Sequence, residues 1–158
     1  MSTSTTDRVV SASSTIDAPA EAIFAIIAAP RQHPRIDGSG TVKDSIKGPE
    51  RLGLGDKFGM SMKQGVPYKI TSTVTEYDEN RRLAWRHPLG HTWRYVLEPT
   101  AEGGTRVTES FDYSEVNGIQ AKFLEVMGYP KKNRRGIEQT LVRLAEAARA
   151  DAAGNPAP

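Results

Sequence analysis

Apolar and polar positions alternate in short runs through the middle of this chain, then shift to a three-and-four spacing toward its end. Arg8–Ile16, with Val9, Val10 and the β-branched pair Thr15–Ile16 among small polar residues, reads as a first strand. Asp17-Ala18-Pro19 then carries helix-start chemistry: an Asx side chain able to accept free amides, and a proline where no donor is needed. Ile23, Ile26 and Ile27 share a helical face beside Phe24, and Pro30 and His33-Pro34 break the run before Asp37-Gly38-Ser39-Gly40. Two short helices are expected here.

Alternation of period two dominates from there to Ser114. It predicts strands at Thr41–Lys47, Lys57–Lys63, Tyr68–Tyr77, Arg82–His87, Thr92–Glu98 and Thr105–Tyr113. Glycine-, proline- and Asn/Asp-bearing turns separate them, too short to hold crossover helices, so neighbouring strands must run antiparallel as a meander. The pattern then turns helical. Gly118–Met127 places Ile119, Phe123 and Val126/Met127 on one face, and Gly128-Tyr129-Pro130 interrupts it as a kink or a break. Ile137, Leu141, Leu144, Ala145 and Ala148 continue as the apolar stripe of a half-buried helix.

This order defines an α+β protein: a curved six- to seven-stranded antiparallel sheet wrapped around a long C-terminal helix, with two short helices after the first strand. A chain of 158 residues suits one such domain, assigned to residues 8–150, with disordered tails at 1–7 and 151–158. Alternation also says which side chains the sheet turns inward. They are Phe58, Met60 and Met62; Leu83, Trp85 and His87; Trp93, Tyr95 and Leu97; and Val107, Glu109, Phe111 and Tyr113. The inward set is wide and aromatic, whereas the helix offers mostly Leu, Ile and Ala. Such a set either fills the space as a packed core or lines a pocket for apolar shapes.

Composition removes several chemistries. Cysteine is absent, which excludes disulfides, thiolate metal sites and cysteine nucleophiles and agrees with a cytoplasmic address. The N-terminus has neither a basic start nor an apolar core, so no export signal is read. The three histidines are scattered without zinc spacing, and no phosphate-binding glycine loop occurs; neither a metal nor another cofactor is expected. A net charge of +2 does not demand a nucleic-acid partner. The one dense basic run, Lys131-Lys132-Asn133-Arg134-Arg135, reads as a solvated helix start or as an attractor for anionic headgroups or RNA.

Ile16 to Phe24, Gly38-Ser39-Gly40, Val74-Thr75-Glu76-Tyr77, Arg82 to Trp85, Trp93 to Pro99 and Gly103 to Thr108 occur in an order and spacing that resembles the START-like, helix-grip superfamily, in its bacterial polyketide cyclase/dehydrase branch. The resemblance spans residues 8–150. It implies a deep cavity between sheet and long helix that holds a lipid, polyketide or isoprenoid-like molecule, with His33 near its mouth. It carries no universal catalytic motif. The residues placed to line such a cavity are Phe58, Met60, Met62, Trp85, Trp93, Tyr95, Phe111, Tyr113, Phe123, Ile137 and Leu141.

Glu109 is the polar anomaly in this set. Facing inward, its carboxyl needs a cation or several donors, or it becomes neutral and fit for proton transfer; a bulge would instead turn it outward. His87, or His91 across the Pro88-Leu89-Gly90 turn, is the candidate proton partner, though turn histidines also commonly see only solvent. The expected function is thus binding of a small hydrophobic molecule, with a cofactor-independent cyclase or dehydratase using Glu109 and His87 as the alternative. The expected assembly is a monomer or homodimer, with peripheral membrane contact as the further interaction.

Overall fold

The structure, a computed structural model, describes residues 8–154. The segments 1–7 and 155–158, read above as tails, lie outside the described residues. Seven strands form one antiparallel sheet: β1 Val9–Ile16, β2 Val42–Lys47, β3 Lys57–Gln64, β4 Val66–Asp78, β5 Arg82–Arg86, β6 Thr92–Pro99 and β7 Thr105–Asp112. Their spatial order is β1-β7-β6-β5-β4-β3-β2, a meander closed at one edge by the first strand. Each turn-bounded alternating run became a strand, with ends moved by a residue or two. The Gly65 turn is tighter than expected. Its φ of 79° reverses the chain in a single residue, so β4 already begins at Val66.

Helix α1, Ala20–Ile27, buries Ile23, Phe24, Ile26 and Ile27. Asp17 does not cap it: Pro19 holds the N-cap position and no side chain bonds the free amides there. Instead the Pro19 carbonyl accepts from Ala22 and Ile23, and Asp17 remains exposed. A single 3-10 turn, Pro30–Gln32, leads into the short α2, His33–Ile36. These are the two short helices.

The C-terminal region is two helices, α3 Gly118–Val126 and α4 Tyr129–Gly154, separated by a full break. Gly128, with φ of 78°, adopts the left-handed conformation that ends a helix, and its carbonyl then accepts from Lys132 to start the next. Helix α4 buries Ile137, Leu141, Leu144, Ala147 and Ala148 and packs on β1, β7, α1 and α2. It continues through 151–154, where a tail was expected, because Asp151 is held by a two-bond ion pair to Arg35 of α2. The middle of α4 is fixed by a close approach. Gly38 donates its amide to the Thr140 hydroxyl at 2.9 Å and lies almost against the helix backbone. The helix is therefore seated on one side of the sheet and stands off from β3 to β6.

Candidate functional site

That stand-off leaves a cavity of about 960 Å³ between the sheet and the N-terminal half of α4. Phe58, Met60 and Met62 of β3, Trp85 of β5, Trp93 and Tyr95 of β6, and Glu109 and Phe111 of β7 all reach it. Phe123 and Ile137 contribute from the helical side. Trp85 and Trp93 bear most directly on the choice between packed core and pocket. Both lie on the inward face yet remain only half-buried, with the cavity rather than protein over part of each ring.

The aromatic walls form two linked groups. In one, His33 stacks on Trp85 at 5.0 Å, and Phe58 meets both rings edge-on at 5.6 and 5.4 Å. In the other, Trp93 and Phe111 lie 4.9 Å apart and His91 packs against Phe111 at 4.9 Å. Aromatic contacts of this kind hold large rings in fixed orientations, so the walls support one another instead of collapsing inward.

Two residues expected in the lining stand outside it. Leu141 is buried one helical turn beyond Ile137, where α4 already presses on the sheet. Tyr113, at the end of β7, is buried against Phe111, and its hydroxyl donates to Glu125 of α3 at 2.9 Å. Burial and that neighbouring carboxylate push its phenol up to about 12. Its role is to tie α3 to the sheet.

Glu109 faces the cavity. The β6–β7 register is unbroken around it, so no bulge turns it outward, and Tyr95 sits directly opposite. No ion pair reaches it among the described residues, and its Oε1 has no hydrogen-bond partner. Burial pushes its carboxyl up to about 8; the Tyr95 hydroxyl opposes this and the charge of Asp37 adds to it. Near neutral pH it is mostly a protonated acid, able to donate a hydrogen bond into the cavity. Glu76, three strands away on β4, shows the contrasting case. A register shift after Val74 turns it to the outer face, where Arg94 and Arg82 hold it below the usual carboxylate range.

The histidines divide by position. His87 reaches the cavity half-buried, and its Nδ1 accepts from the Leu89 amide at 3.0 Å, leaving the ring proton on Nε2. His91 stacks on it at 4.2 Å and is buried, with Nδ1 unpartnered. Burial, with His87 adding, lowers His91 to about 3. His33 is buried as well. Its Nε2 donates to the Ile27 carbonyl at 2.8 Å, and burial lowers it to about 4. All three rings are therefore predominantly neutral at pH 7, and the cavity interior offers no fixed cation. Among the described lining residues the cations are Lys131, Lys132 and Arg135, which are exposed at its rim. Among the described residues no group of three His, Asp or Glu is placed to hold a metal ion.

Asp37 and Thr140 escaped the pattern reading. Asp37 accepts from Ser39 and from the Val42 amide, shaping the loop that walls the cavity between α2 and β2. The Asp-Gly-Ser-Gly run signalled a turn, but nothing in it signalled the distant Thr140.

A seven-stranded antiparallel sheet gripping a long C-terminal helix around an aromatic cavity is the helix-grip, START-like architecture. The family model described as polyketide cyclase / dehydrase and lipid transport matches residues 7–149, and the chain belongs to that family. It is 48% identical over 140 residues to uncharacterized protein Rv0088 of Mycobacterium tuberculosis, covering 87% of this chain and 62% of that protein. The chain thus spans less than two thirds of that curated relative. Its fold is similar to that of protein NE0264 from Nitrosomonas europaea, with a TM-score of 0.68 at 18% identity over 92% of this chain and 96% of the other. An AHSA1-like protein from Aeromonas hydrophila gives a TM-score of 0.67 at 19% identity, covering 90% and 92%.

Proposed function

We propose that this protein binds one small, mainly hydrophobic molecule of lipid, polyketide or isoprenoid-like character in the cavity beneath α4. The observation that carries this reading is the pair of inward tryptophans, Trp85 and Trp93, left partly uncovered around a hollow of about 960 Å³. That size lies at the upper end of small-molecule sites, which run to about 1,000 Å³. The interior polar groups suit a ligand bearing one neutral oxygen function. Glu109 donates as a carboxylic acid, while a buried carboxylate ligand would meet no cation.

The test is a titration with the neutral dye N-phenyl-1-naphthylamine, followed by displacement with 1-dodecanol. One saturable site is expected, with quenching of tryptophan fluorescence and full displacement. Dodecanoate is expected to displace the dye more weakly than the alcohol, because its charge must remain at the rim. Dye uptake that does not saturate, or that dodecanol leaves unchanged, would count against the reading.

A second reading has its own support in the unpartnered Glu109 oxygen. A neutral acid and neutral imidazoles lining one cavity are a set that can dehydrate a β-hydroxy carbonyl compound. Glu109 would protonate the departing hydroxyl while His91, whose Nδ1 has no partner, removes the proton from the adjacent carbon; the His87 Nδ1 is already taken by the Leu89 amide. Glu109→Gln is expected to abolish such turnover and to retain dye binding. Turnover unchanged in that variant would remove Glu109 from the chemistry.

A further inference from the structure

Helix α3 presents its apolar side to water. Ile119, Phe123, Val126 and Met127 fall within roughly 100° of arc at helical spacing, and they are 82%, 58%, 74% and 60% exposed. On the opposite side it is the small Ala121 that is buried against the body. This is the reverse of an ordinary surface helix, whose apolar stripe faces the core. The orientation is held from both ends. Asn117 caps the first turn through the Ile119 amide, and Glu125 is fixed by the Tyr113 hydroxyl and by Arg8 at 3.5 Å.

Water-facing side chains of this size in one contiguous patch mark an interaction site. The surroundings specify the partner. The patch's four side chains stand mostly uncovered, and it borders the cavity opening, since Phe123 and Met127 also line that cavity. Lys131, Lys132 and Arg135 stand exposed at the same rim, and Lys122 flanks the patch on α3 itself. The nearby carboxylates are engaged elsewhere: Glu125 as described, and Glu115 with Arg86 at 3.7 Å. A patch of large apolar side chains bordered by cations is complementary to an anionic lipid surface, which takes apolar groups below its headgroups and binds cations among them.

We propose that α3 and the start of α4 form a docking face for an anionic phospholipid bilayer, placing the cavity opening against the membrane. The surface stands on its own residues and does not depend on what the cavity holds.

The experiment is co-sedimentation with vesicles of phosphatidylcholine alone and of phosphatidylcholine containing phosphatidylglycerol. The full chain is expected to partition at least tenfold more strongly to the anionic vesicles, and to be largely released by high salt. An Ile119→Ser/Val126→Ser variant, whose altered side chains lie outside the cavity lining, should lose at least tenfold in partitioning while binding N-phenyl-1-naphthylamine as before. Lys131→Glu/Lys132→Glu should remove the preference for phosphatidylglycerol. Failure of the wild-type protein to bind anionic vesicles overturns the proposal, as does undiminished binding by the Ile119/Val126 variant. A wild-type dimer in sedimentation velocity that the same variant converts to monomer assigns the patch to a second copy and also overturns it. Vesicle binding without dye binding would instead retain the docking face and remove the cavity reading.

Discussion

A Gly38→Ala substitution should lower the unfolding free energy by about 3 kcal/mol, the upper part of the range for overpacking a close contact. The expectation comes from one narrow gap. A Cβ on Gly38 would lie 2.5 Å from the Gln139 Cβ and 2.5 Å from the Thr140 backbone nitrogen. Neither atom is the free end of a flexible side chain, so the loop must back away from α4. Retreat also stretches or breaks the bond from the Gly38 amide to the Thr140 hydroxyl. Because the 37–41 loop walls the cavity, dye affinity should fall in the same variant. Gly136 supplies the control. It faces Ser39 across the same junction, but an added Cβ would meet that residue at 3.6 Å, an ordinary contact. In a helix interior Gly136→Ala should therefore be neutral or stabilising by up to about 1 kcal/mol. Urea unfolding of both variants measures the difference. A Gly38→Ala protein as stable as the parent would mean that α4 is not seated on this loop.

Stability should pass through a maximum near pH 6.5 and decline on both sides, with Glu109 responsible for the alkaline decline. Its carboxyl is raised from the ordinary 4.5 to about 8, so between those values the folded state holds a proton that the unfolded chain has released. Rising pH in that window disfavours folding. His33 and His91 act with the opposite sign. Lowered to about 4 and about 3, they stay neutral while the unfolded chain takes up protons below 6.5, so stability falls as pH falls through that range. At pH 6.5 the opposing slopes cancel, and above it the histidine contribution fades over about one pH unit while that of Glu109 continues. With about 1.4 kcal/mol per pH unit for each full proton difference, the protein should lose about 1 kcal/mol between pH 6.5 and 8. Glu109→Gln should flatten that limb and leave the acid limb intact. A parent protein equally stable at pH 6.5 and pH 8 would show that Glu109 is solvated or paired.

The strands and the inward direction of Glu109 could be read from the chain because they depend on local alternation. Val107, Glu109 and Phe111 share a face in any regular strand, whatever surrounds it. Position within the fold was less accessible. Alternation put Tyr113 on the correct face, and helical spacing put Leu141 in line with Ile137, but neither pattern says where the cavity stops and the packed core begins. Helix α3 makes the distinction plainest. Spacing grouped Ile119, Phe123, Val126 and Met127 correctly, yet spacing reports which residues share a face and not what that face meets. Here it meets water. The Asp17 cap failed because Pro19 and backbone carbonyls began α1 without it. The Gly38–Thr140 contact joins residues far apart in the chain, and no local pattern encodes such a pairing. His91 resembled a solvent-facing turn residue until the fold closed Phe111 over it.

Intermolecular nuclear Overhauser effects between the uniformly labelled protein and bound 1-dodecanol would show directly where a hydrophobic molecule sits. Contacts from the alkyl chain to the methyl groups of Met60, Met62 and Ile137, and to the indole protons of Trp85 and Trp93, are the predicted result. Contacts confined to Ile119 and Val126 on the outer patch, with none to those interior groups, would contradict it.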